Sequence, residues 1–167
     1  MDQLFAVGAA DVAPTADDWY TPRWVFDAAG VVFDLDVCAP VDPAMRTCPA
    51  GAYLTPVEDG LAAPWFGVVW CNPPYSAPSP WMQRFAAHPE GMALVPAARS
   101  RWLGVLMASA DAMALISCVF GRPDGRPASP GGMALVLAAR GETCAAAVAR
   151  VAAVDGIAAG AYHVRPG

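Results

Sequence analysis

The sequence has no lysine, only two histidines and no Cys-x-x-Cys pair. Its five cysteines are odd in number, so they support neither a disulfide framework nor the paired ligands of a zinc site. We therefore expect buried thiols and no bound metal.

Long apolar runs are also lacking. The uncharged stretch from Ala112 to Phe120 is far shorter than the roughly 20 residues that a helix needs to cross a bilayer. The start, Met1-Asp2-Gln3, lacks the basic residues of a secretory signal. We therefore expect no membrane contact and a cytoplasmic location.

The length of 167 residues is enough for one domain with a sizeable core. Residues 1–16 show little hydrophobic periodicity and contain Gly8, Pro14 and Thr15. We expect a loose N-terminal arm over residues 1–16 and a single domain over residues 17–167.

The net charge of −5 argues at first sight against a nucleic-acid partner, because it repels phosphate. The charge is unevenly distributed, however. Residues 1–59 carry ten acidic residues and two arginines, whereas residues 60–167 carry five acidic residues and eight arginines. The C-terminal portion is therefore the part suited to face a duplex.

One apolar run stops abruptly at a polar residue and two prolines. Val68 to Trp70 are strand formers, whereas Pro73 and Pro74 cannot donate hydrogen bonds to a sheet. The strand must therefore end near Asn72, which places that side chain at the carboxyl edge of a sheet.

Strands and helices alternate along the rest of the chain. The predicted strands are Val31–Val37, Ala52–Thr55, Val68–Cys71, Gly91–Pro96, Ala112–Phe120 and Met133–Ala139. The predicted helices are Arg23–Ala29 capped by Thr21, Ser79–Ala87 capped by Ser79, Ser100–Ala110 and Glu142–Val154. This alternation predicts an α/β fold with a mostly parallel sheet covered by helices on both faces.

The Asn-Pro-Pro-Tyr segment resembles the catalytic motif of amino-methyltransferases, and the order of segments resembles the small phage-type DNA N6-adenine methyltransferases. The resemblance covers about residues 17–140. It is carried by Trp19-Tyr20-Thr21-Pro22, Leu35 to Pro40, Asp59-Gly60-Leu61 and Trp70 to Tyr75, followed by Ala93 to Ala97 and Phe120 to Pro130. It implies a Rossmann-like fold that uses S-adenosylmethionine.

In that family the motif acts on an exocyclic amine, whose lone pair is delocalised into the ring. The resemblance implies that Asn72 and the carbonyl of Pro73 accept the amine hydrogens, while Pro74 stiffens the loop. Tyr75 would offer a ring face to a target adenine flipped out of the duplex.

The cofactor site is also implied by the resemblance. Asp36 would face the methionine ammonium, Asp59 the cofactor adenine and Asp42 the ribose, with Asp36 at the carboxyl end of the first strand. Thr21 and Pro22 would lie over the methionine carboxylate, with Cys38 nearby. For each aspartate a local role in a cap or turn is the alternative. No Gly-x-Gly follows the first strand, where Ala39-Pro40 stands instead.

Candidate contacts to double-stranded DNA follow the two strands after the motif. They are Arg99, Arg101, Trp102, Arg122 and Arg126. Arginine suits phosphates and guanine edges because its planar fork makes paired hydrogen bonds. The alternative is that these arginines only solvate an acidic domain. A homodimer would double the basic surface.

The predicted function is site-specific methylation of adenine N6 in DNA, in a phage-encoded or prophage-encoded protein that acts inside a bacterial host. Two alternatives stay open at this stage. Asn-Pro-Pro-Tyr also occurs in enzymes that methylate protein glutamine or RNA bases. The second alternative is an inactive member of the family that only binds cofactor or DNA.

Overall fold

The computed structural model describes residue 15 and residues 17–128, 134–155 and 162–164. The predicted loose arm over residues 1–16 lies outside the described residues apart from Thr15. The arm and its boundary with a single domain therefore stay predictions.

A seven-stranded mixed sheet forms the centre of the described chain. In chain order its strands are β1 (Phe33–Asp36), β2 (Ala50–Tyr53), β3 (Val69–Cys71), β4 (Gly91–Pro96), β5 (Ala112–Ile116), β6 (Leu135–Arg140) and β7 (Tyr162–Val164). Their order across the sheet is β2-β1-β3-β4-β6-β5-β7. The sequence predicted β4 with these bounds and the five strands around it with shifted ends, but β7 was not anticipated.

The directions of the strands differ from the prediction of a mostly parallel sheet, which is not confirmed. β1 pairs in parallel with β2 and β3, and β3 with β4. β6 lies antiparallel to both β4 and β5, and β7 lies antiparallel to β5. Because β4 and β5 both oppose β6, they run in the same direction as β1 and β3. The carboxyl ends of these four strands therefore lie at one edge.

Within the described ranges, four α-helices cover both faces of the sheet, as predicted. They are α1 (Arg23–Ala29), α2 (Ser79–Ala87), α3 (Arg101–Ser109) and α4 (Glu142–Asp155), and a short 3₁₀ helix spans Pro43–Met45. α1 packs against α4 on one face, and α2 packs against α3 on the other.

The side chains of β4 show why two helical layers are needed. Met92 and Leu94 belong to the core under α1 and α4, whereas Ala93 and Val95 belong to the core under α2 and α3. All four are fully buried. A strand that is apolar on both sides must be covered on both sides, since each exposed aliphatic side chain would forgo about 1.5–3 kcal/mol of burial free energy.

Two predicted helix caps are wrong. α1 has Pro22 at its N-cap and no side-chain cap hydrogen bond, so Thr21 does not cap it. α2 has Pro78 at its N-cap, and Ser79 is already its first helical residue. The end of α1 agrees with the sequence, because Gly30 adopts φ 60° and its N–H bonds the Phe26 carbonyl.

No helix in the described ranges combines the length and apolarity needed to span a bilayer. Among those same residues there is no group of three or more histidine, cysteine or acidic side chains suited to a metal ion. None of the five cysteines, all of which lie in the described part, forms a disulfide.

Candidate active site

A cavity of about 650 Å³ lies at the carboxyl edge of the sheet. Asp36 ends β1 and Asn72 directly follows β3, and because these neighbouring strands are parallel, both residues line the cavity. The volume lies within the roughly 300–1,000 Å³ of typical small-molecule pockets. The cavity is therefore large enough for a cofactor and is built where α/β sheets bind ligands.

The Asn72 side chain is held by one strong contact. Its Nδ2 atom donates a hydrogen bond of 2.7 Å to the backbone carbonyl of Trp19, which lies 53 residues earlier in the chain. A carbonyl only accepts, so the amide nitrogen must face Trp19 and the amide oxygen must face the other way. The Asn72 Oδ1 atom is shielded from solvent and has no hydrogen-bond partner in the described part of the chain. An unpaired buried acceptor costs about 1–3 kcal/mol, so this atom is suited to accept from an incoming donor.

Residues 17–22, which we call the N-terminal strap, cross the loop that carries Asn72. The Asp17 carboxylate accepts hydrogen bonds from the Ser76 backbone N–H at 3.1 Å and from the Ser76 hydroxyl. Tyr20 pairs through its backbone with Gly121, at 3.0 and 2.9 Å. The strap therefore connects the Asn72 loop to the segment that follows β5.

The prolines after Asn72 and the aromatic residue beyond them have different surroundings. Pro73 is buried, and Pro74 lines the cavity. Tyr75 does not line it. The Tyr75 ring is stacked at 6.3 Å between centroids on Trp19 and meets Phe120 edge to face at 6.1 Å. Burial raises the pKa of the Tyr75 hydroxyl well above its ordinary range. Trp19, on which Tyr75 stacks, is one of the aromatic residues that line the cavity.

Asp36 is the most deeply buried acidic residue of the cavity, with a relative exposure of 4%. Burial raises the pKa of its carboxyl from 3.8 to about 7, because removal from water disfavours the charged form. The hydrogen bond from the Cys38 backbone N–H, at 3.1 Å, and the charge of Arg46 lower this pKa but do not offset the burial. A cation bound beside Asp36 would favour its ionised form.

Thr21 lines the same cavity with an unused hydroxyl. The residue is 3% exposed, and its Oγ1 atom has no partner among the described residues. Its backbone carbonyl, in contrast, accepts a hydrogen bond of 2.7 Å from the Thr47 hydroxyl. Since the backbone is fixed and the hydroxyl is unpaired, Thr21 is suited to contact a polar ligand.

Asp42 and Asp59 line the cavity and also have local roles. Asp42 accepts from the Ala44 N–H at 2.9 Å and caps the 3₁₀ helix. Asp59 has φ 54° and accepts from the Leu61 N–H at 3.0 Å. Both therefore show the turn geometry that the sequence offered as the alternative, at positions that a ligand in the cavity can reach.

The two other predicted cofactor residues differ in their access to the cavity. Cys38 lines it, and burial followed by a hydrogen bond with the Cys71 thiol raises the pKa of Cys38 well above its ordinary range. Cys38 is therefore a neutral thiol. Pro22 does not line the cavity and serves as the N-cap of α1.

The predicted DNA contacts follow β4 and β5, at the same edge as the cavity. Arg99 lies in the loop after β4, Arg101 and Trp102 begin α3, and Arg122 and Arg126 lie in the segment after β5. Arg99, Arg101 and Arg126 are exposed, and Trp102 is partly buried against the core beneath α3. Arg122 lies over the Trp19 ring, with its guanidinium carbon 4.9 Å from the ring centroid. The sheet therefore brings all five residues to one side of the molecule.

Sequence reasoning did not single out Asp17, Ser76 or Trp19 as site residues. Trp19 was noted only as part of a motif, and nothing local in the sequence pairs Asp17 with Ser76, 59 residues away. Their contacts follow from the way the chain crosses itself, which hydrophobic periodicity does not encode.

Comparison with known proteins gave one family. The family model described as DNA N-6-adenine-methyltransferase (Dam) matches residues 9–146. A relative from Haemophilus phage HP1 (strain HP1c1), described as DNA N-6-adenine-methyltransferase, is 40% identical over 73 residues. That match covers 41% of this chain and 40% of the relative, so it spans less than half of either protein. No solved structure matches the chain.

Proposed function

This chain belongs to the DNA N-6-adenine-methyltransferase (Dam) family, and we propose from this that it transfers a methyl group from S-adenosylmethionine to N6 of adenine in double-stranded DNA. The observation that carries the proposal is the Asn72 amide. Its nitrogen is fixed by the Trp19 carbonyl, which leaves Oδ1 unpaired beside the cavity.

The chemistry of adenine N6 requires such an acceptor. The lone pair of the amine is delocalised into the ring, and it becomes nucleophilic as the nitrogen moves towards tetrahedral geometry. Asn72 Oδ1 would accept one amine hydrogen, and the Pro73 carbonyl the other, as positive charge develops on the nitrogen. Pro73 and Pro74 restrict the backbone around these acceptors, so little reorganisation is needed when the base arrives.

The cavity contains groups that suit S-adenosylmethionine. The buried carboxyl of Asp36 would face the methionine ammonium, and the unpaired Thr21 hydroxyl would contact the methionine carboxylate. Asp42 and Asp59 would accept from the ribose and adenine, and Cys38 and Pro22 would contribute packing. When bound, the cofactor would supply an electrophilic methyl on a sulfonium, whose bond to sulfur breaks as the bond to N6 forms and leaves a neutral thioether. The methylated amine then releases one proton to water.

The target base would enter beside Trp19 and Pro74. Asn72 Oδ1 is shielded from solvent, so the atoms that cover it would have to move as the base enters, whereas the proline-restricted backbone around Asn72 would stay in place. The opposite side of the amide stays bound to the strap. Tyr75 would act on the base through its stacking on Trp19. A direct contact between the base and the Tyr75 ring would require that the entry of the base exposes this ring.

The duplex would lie across the sheet edge where the arginine loops emerge. Arg99, Arg101 and Arg126 are exposed there, Arg122 projects beside Trp19, and Trp102 adds an aromatic group. We propose that these residues bind phosphates or base edges, and that a homodimer doubles this surface. The phage origin of the relative supports action in the cytoplasm of a bacterial host.

Product analysis tests the proposal. The purified protein is incubated with methyl-labelled S-adenosylmethionine and duplex DNA, total RNA or protein extract, and the labelled DNA is digested to nucleosides. We expect label in N6-methyladenine of duplex DNA. Label in RNA or in protein glutamine instead would show that DNA is not the substrate. Cofactor binding without transfer to any of these substrates would identify an inactive member.

A further inference from the structure

The N-terminal strap and the Asn72 loop are joined by a side-chain clasp at the protein surface. The Asp17 carboxylate accepts from two donors of one residue, the Ser76 N–H and the Ser76 hydroxyl. The backbone N–H of Asp17 is in turn bonded to the Thr15 hydroxyl at 3.2 Å, and the Trp19 N–H is bonded to the Asp17 carbonyl at 3.0 Å. Asp17 is therefore fixed through both its backbone and its side chain.

This clasp is one of two backbone anchors on either side of the Trp19 carbonyl. Trp19 stands between two anchors of the strap, the Asp17 contact with Ser76 and the pairing of Tyr20 with Gly121. The Trp19 carbonyl, which holds the Asn72 amide nitrogen, is two residues from one anchor and adjacent to the other. Without the clasp, the backbone before Trp19 would lose its anchor, and the carbonyl would be held by the pairing of Tyr20 with Gly121 and by the packing of the Trp19 ring on Tyr75.

Building on the proposed methyl transfer, we propose that Asp17 is a positioning residue, which holds the Asn72 amide in its reactive orientation by clasping Ser76. Asp17 also lines the cavity, and its effect arises from the contact with Ser76 and not from a contact with the methyl donor or the base. Its effect passes through the Trp19 carbonyl to Asn72 Nδ2, and so to the direction of Oδ1. An amide that is free to rotate would present nitrogen, a donor, to the amine for part of the time.

Three substitutions separate the contributions to the clasp. Asp17→Ala removes the acceptor for both Ser76 donors. Asp17→Asn keeps one side-chain oxygen for the Ser76 N–H and lets the new amide donate to the Ser76 hydroxyl. Ser76→Ala removes the hydroxyl but keeps the backbone N–H. Asp27→Ala is the matched control, because Asp27 is an exposed acid on α1 that forms an ion pair with Arg23 at 3.7 Å.

We expect Asp17→Ala to lower kcat by about tenfold, in line with the sensitivity of reactive geometry to small displacements. The Kd for S-adenosylmethionine and the thermal unfolding temperature should stay close to wild type, and Asp17→Asn should recover most of the lost kcat. The double variant Asp17→Ala, Ser76→Ala should be no slower than Asp17→Ala alone, since both changes break the same contact.

The outcomes distinguish this inference from the proposed function. Wild-type protein that methylates no DNA adenine overturns the proposed function before any variant is compared. If wild type is active and Asp17→Ala retains its kcat, the clasp does not position Asn72. The same conclusion follows if Asp17→Ala is faster than wild type, or if Asp17→Asn and Asp27→Ala lose as much activity as Asp17→Ala.

Discussion

Thr21 and Asp36 are two buried polar residues in one cavity, and neither is in the state that would stabilise the isolated protein most. The Thr21 hydroxyl has no hydrogen-bond partner in the described part of the chain, and the Asp36 carboxyl is buried where its charged form is disfavoured. Buried polar groups without a hydrogen-bond partner or with a shifted pKa are common at binding sites, where a ligand supplies the missing hydrogen bond or charge. Each of the two supports a prediction in which stability and ligand binding change separately.

Thr21→Val should separate stability from cofactor binding. Valine has nearly the same shape but no hydroxyl, so it removes an unsatisfied buried atom, and the unfolding temperature should stay the same or rise. The affinity for S-adenosylmethionine should fall by about tenfold, the worth of one hydrogen bond to a charged group. Thermal unfolding and calorimetry of the same samples check both effects. A variant that loses stability and keeps its affinity would show that Thr21 has a structural role only.

Asp36 should make the stability of the free protein depend on pH. Its pKa is raised on folding from 3.8 to about 7, so the folded state holds a proton that the unfolded state has released between these values. The contribution to stability is therefore fully present below about pH 4 and is lost as the pH rises through about 7. Denaturant titrations across this window should show the decline, and Asp36→Asn should lack it. An equal decline in Asp36→Asn would assign the effect to another group.

At the scale of elements, the turn that begins after β2 is fitted tightly against the sheet edge. A Cβ atom on Gly60 would lie 2.0 Å from the Val37 carbonyl and 2.9 Å from the Trp81 ring. The Gly60 carbonyl also accepts from Trp65 Nε1 at 2.7 Å. Only glycine fits at this position, which explains why Gly60 follows Asp59 in the cavity wall.

Gly60→Ala should destabilise the protein by about 1–3 kcal/mol, the usual cost of overpacking. Gly104→Ala is the matched control, because Gly104 lies in α3 with nothing within 4 Å of the added atom. That control should be neutral or should stabilise the protein by about 0.5–1 kcal/mol through helix propensity. Chemical denaturation measures both. Equal effects of the two substitutions would contradict the close fit at Gly60.

The loop between β4 and α3 supports a prediction about DNA. Arg99 lies in this loop, Arg101 is the first residue of α3, and both are exposed. Each phosphate neutralised should contribute a slope of about −0.9 to the dependence of log affinity on log salt. Replacing both by alanine should flatten that slope by about two units and leave cofactor affinity unchanged. Arg23→Ala, which removes an exposed arginine from α1, is the control. If the double variant binds duplex DNA as tightly as wild type at every salt concentration, Arg99 and Arg101 serve only to solvate the surface.

Local signals predicted the elements well and their directions less well. Gly30 ends α1, and the run from Gly91 to Pro96 forms β4, because these signals lie within the segment itself. The direction of β6 depends on the connection before it, a Gly/Pro-rich loop with no predicted helix. A chain without a crossover helix returns beside its neighbour in the antiparallel sense, so this loop was evidence against a mostly parallel sheet.

At the scale of the whole molecule, the topology collects distant residues at one edge. The chain reaches this edge after β1, β3, β4 and β5, so the acidic cavity residues of the first part of the chain lie at the same edge as arginines of the second part. The sequence predicted Asn72 at this edge, since two prolines must end its strand. It did not predict that Trp19 holds Asn72, because a hydrogen bond across 53 residues leaves no local pattern.

The central claim is that Asn72 carries methyl transfer to adenine N6, and the comparison of Asn72→Ala with wild type tests it most directly. Both proteins are mixed with labelled S-adenosylmethionine and a duplex, and N6-methyladenine is quantified after digestion, with cofactor Kd measured in parallel. Loss of a preorganised acceptor should lower kcat by about 100-fold or more, while cofactor Kd stays within about threefold of wild type. An Asn72→Ala protein that forms N6-methyladenine within a few fold of the wild-type rate would contradict the claim.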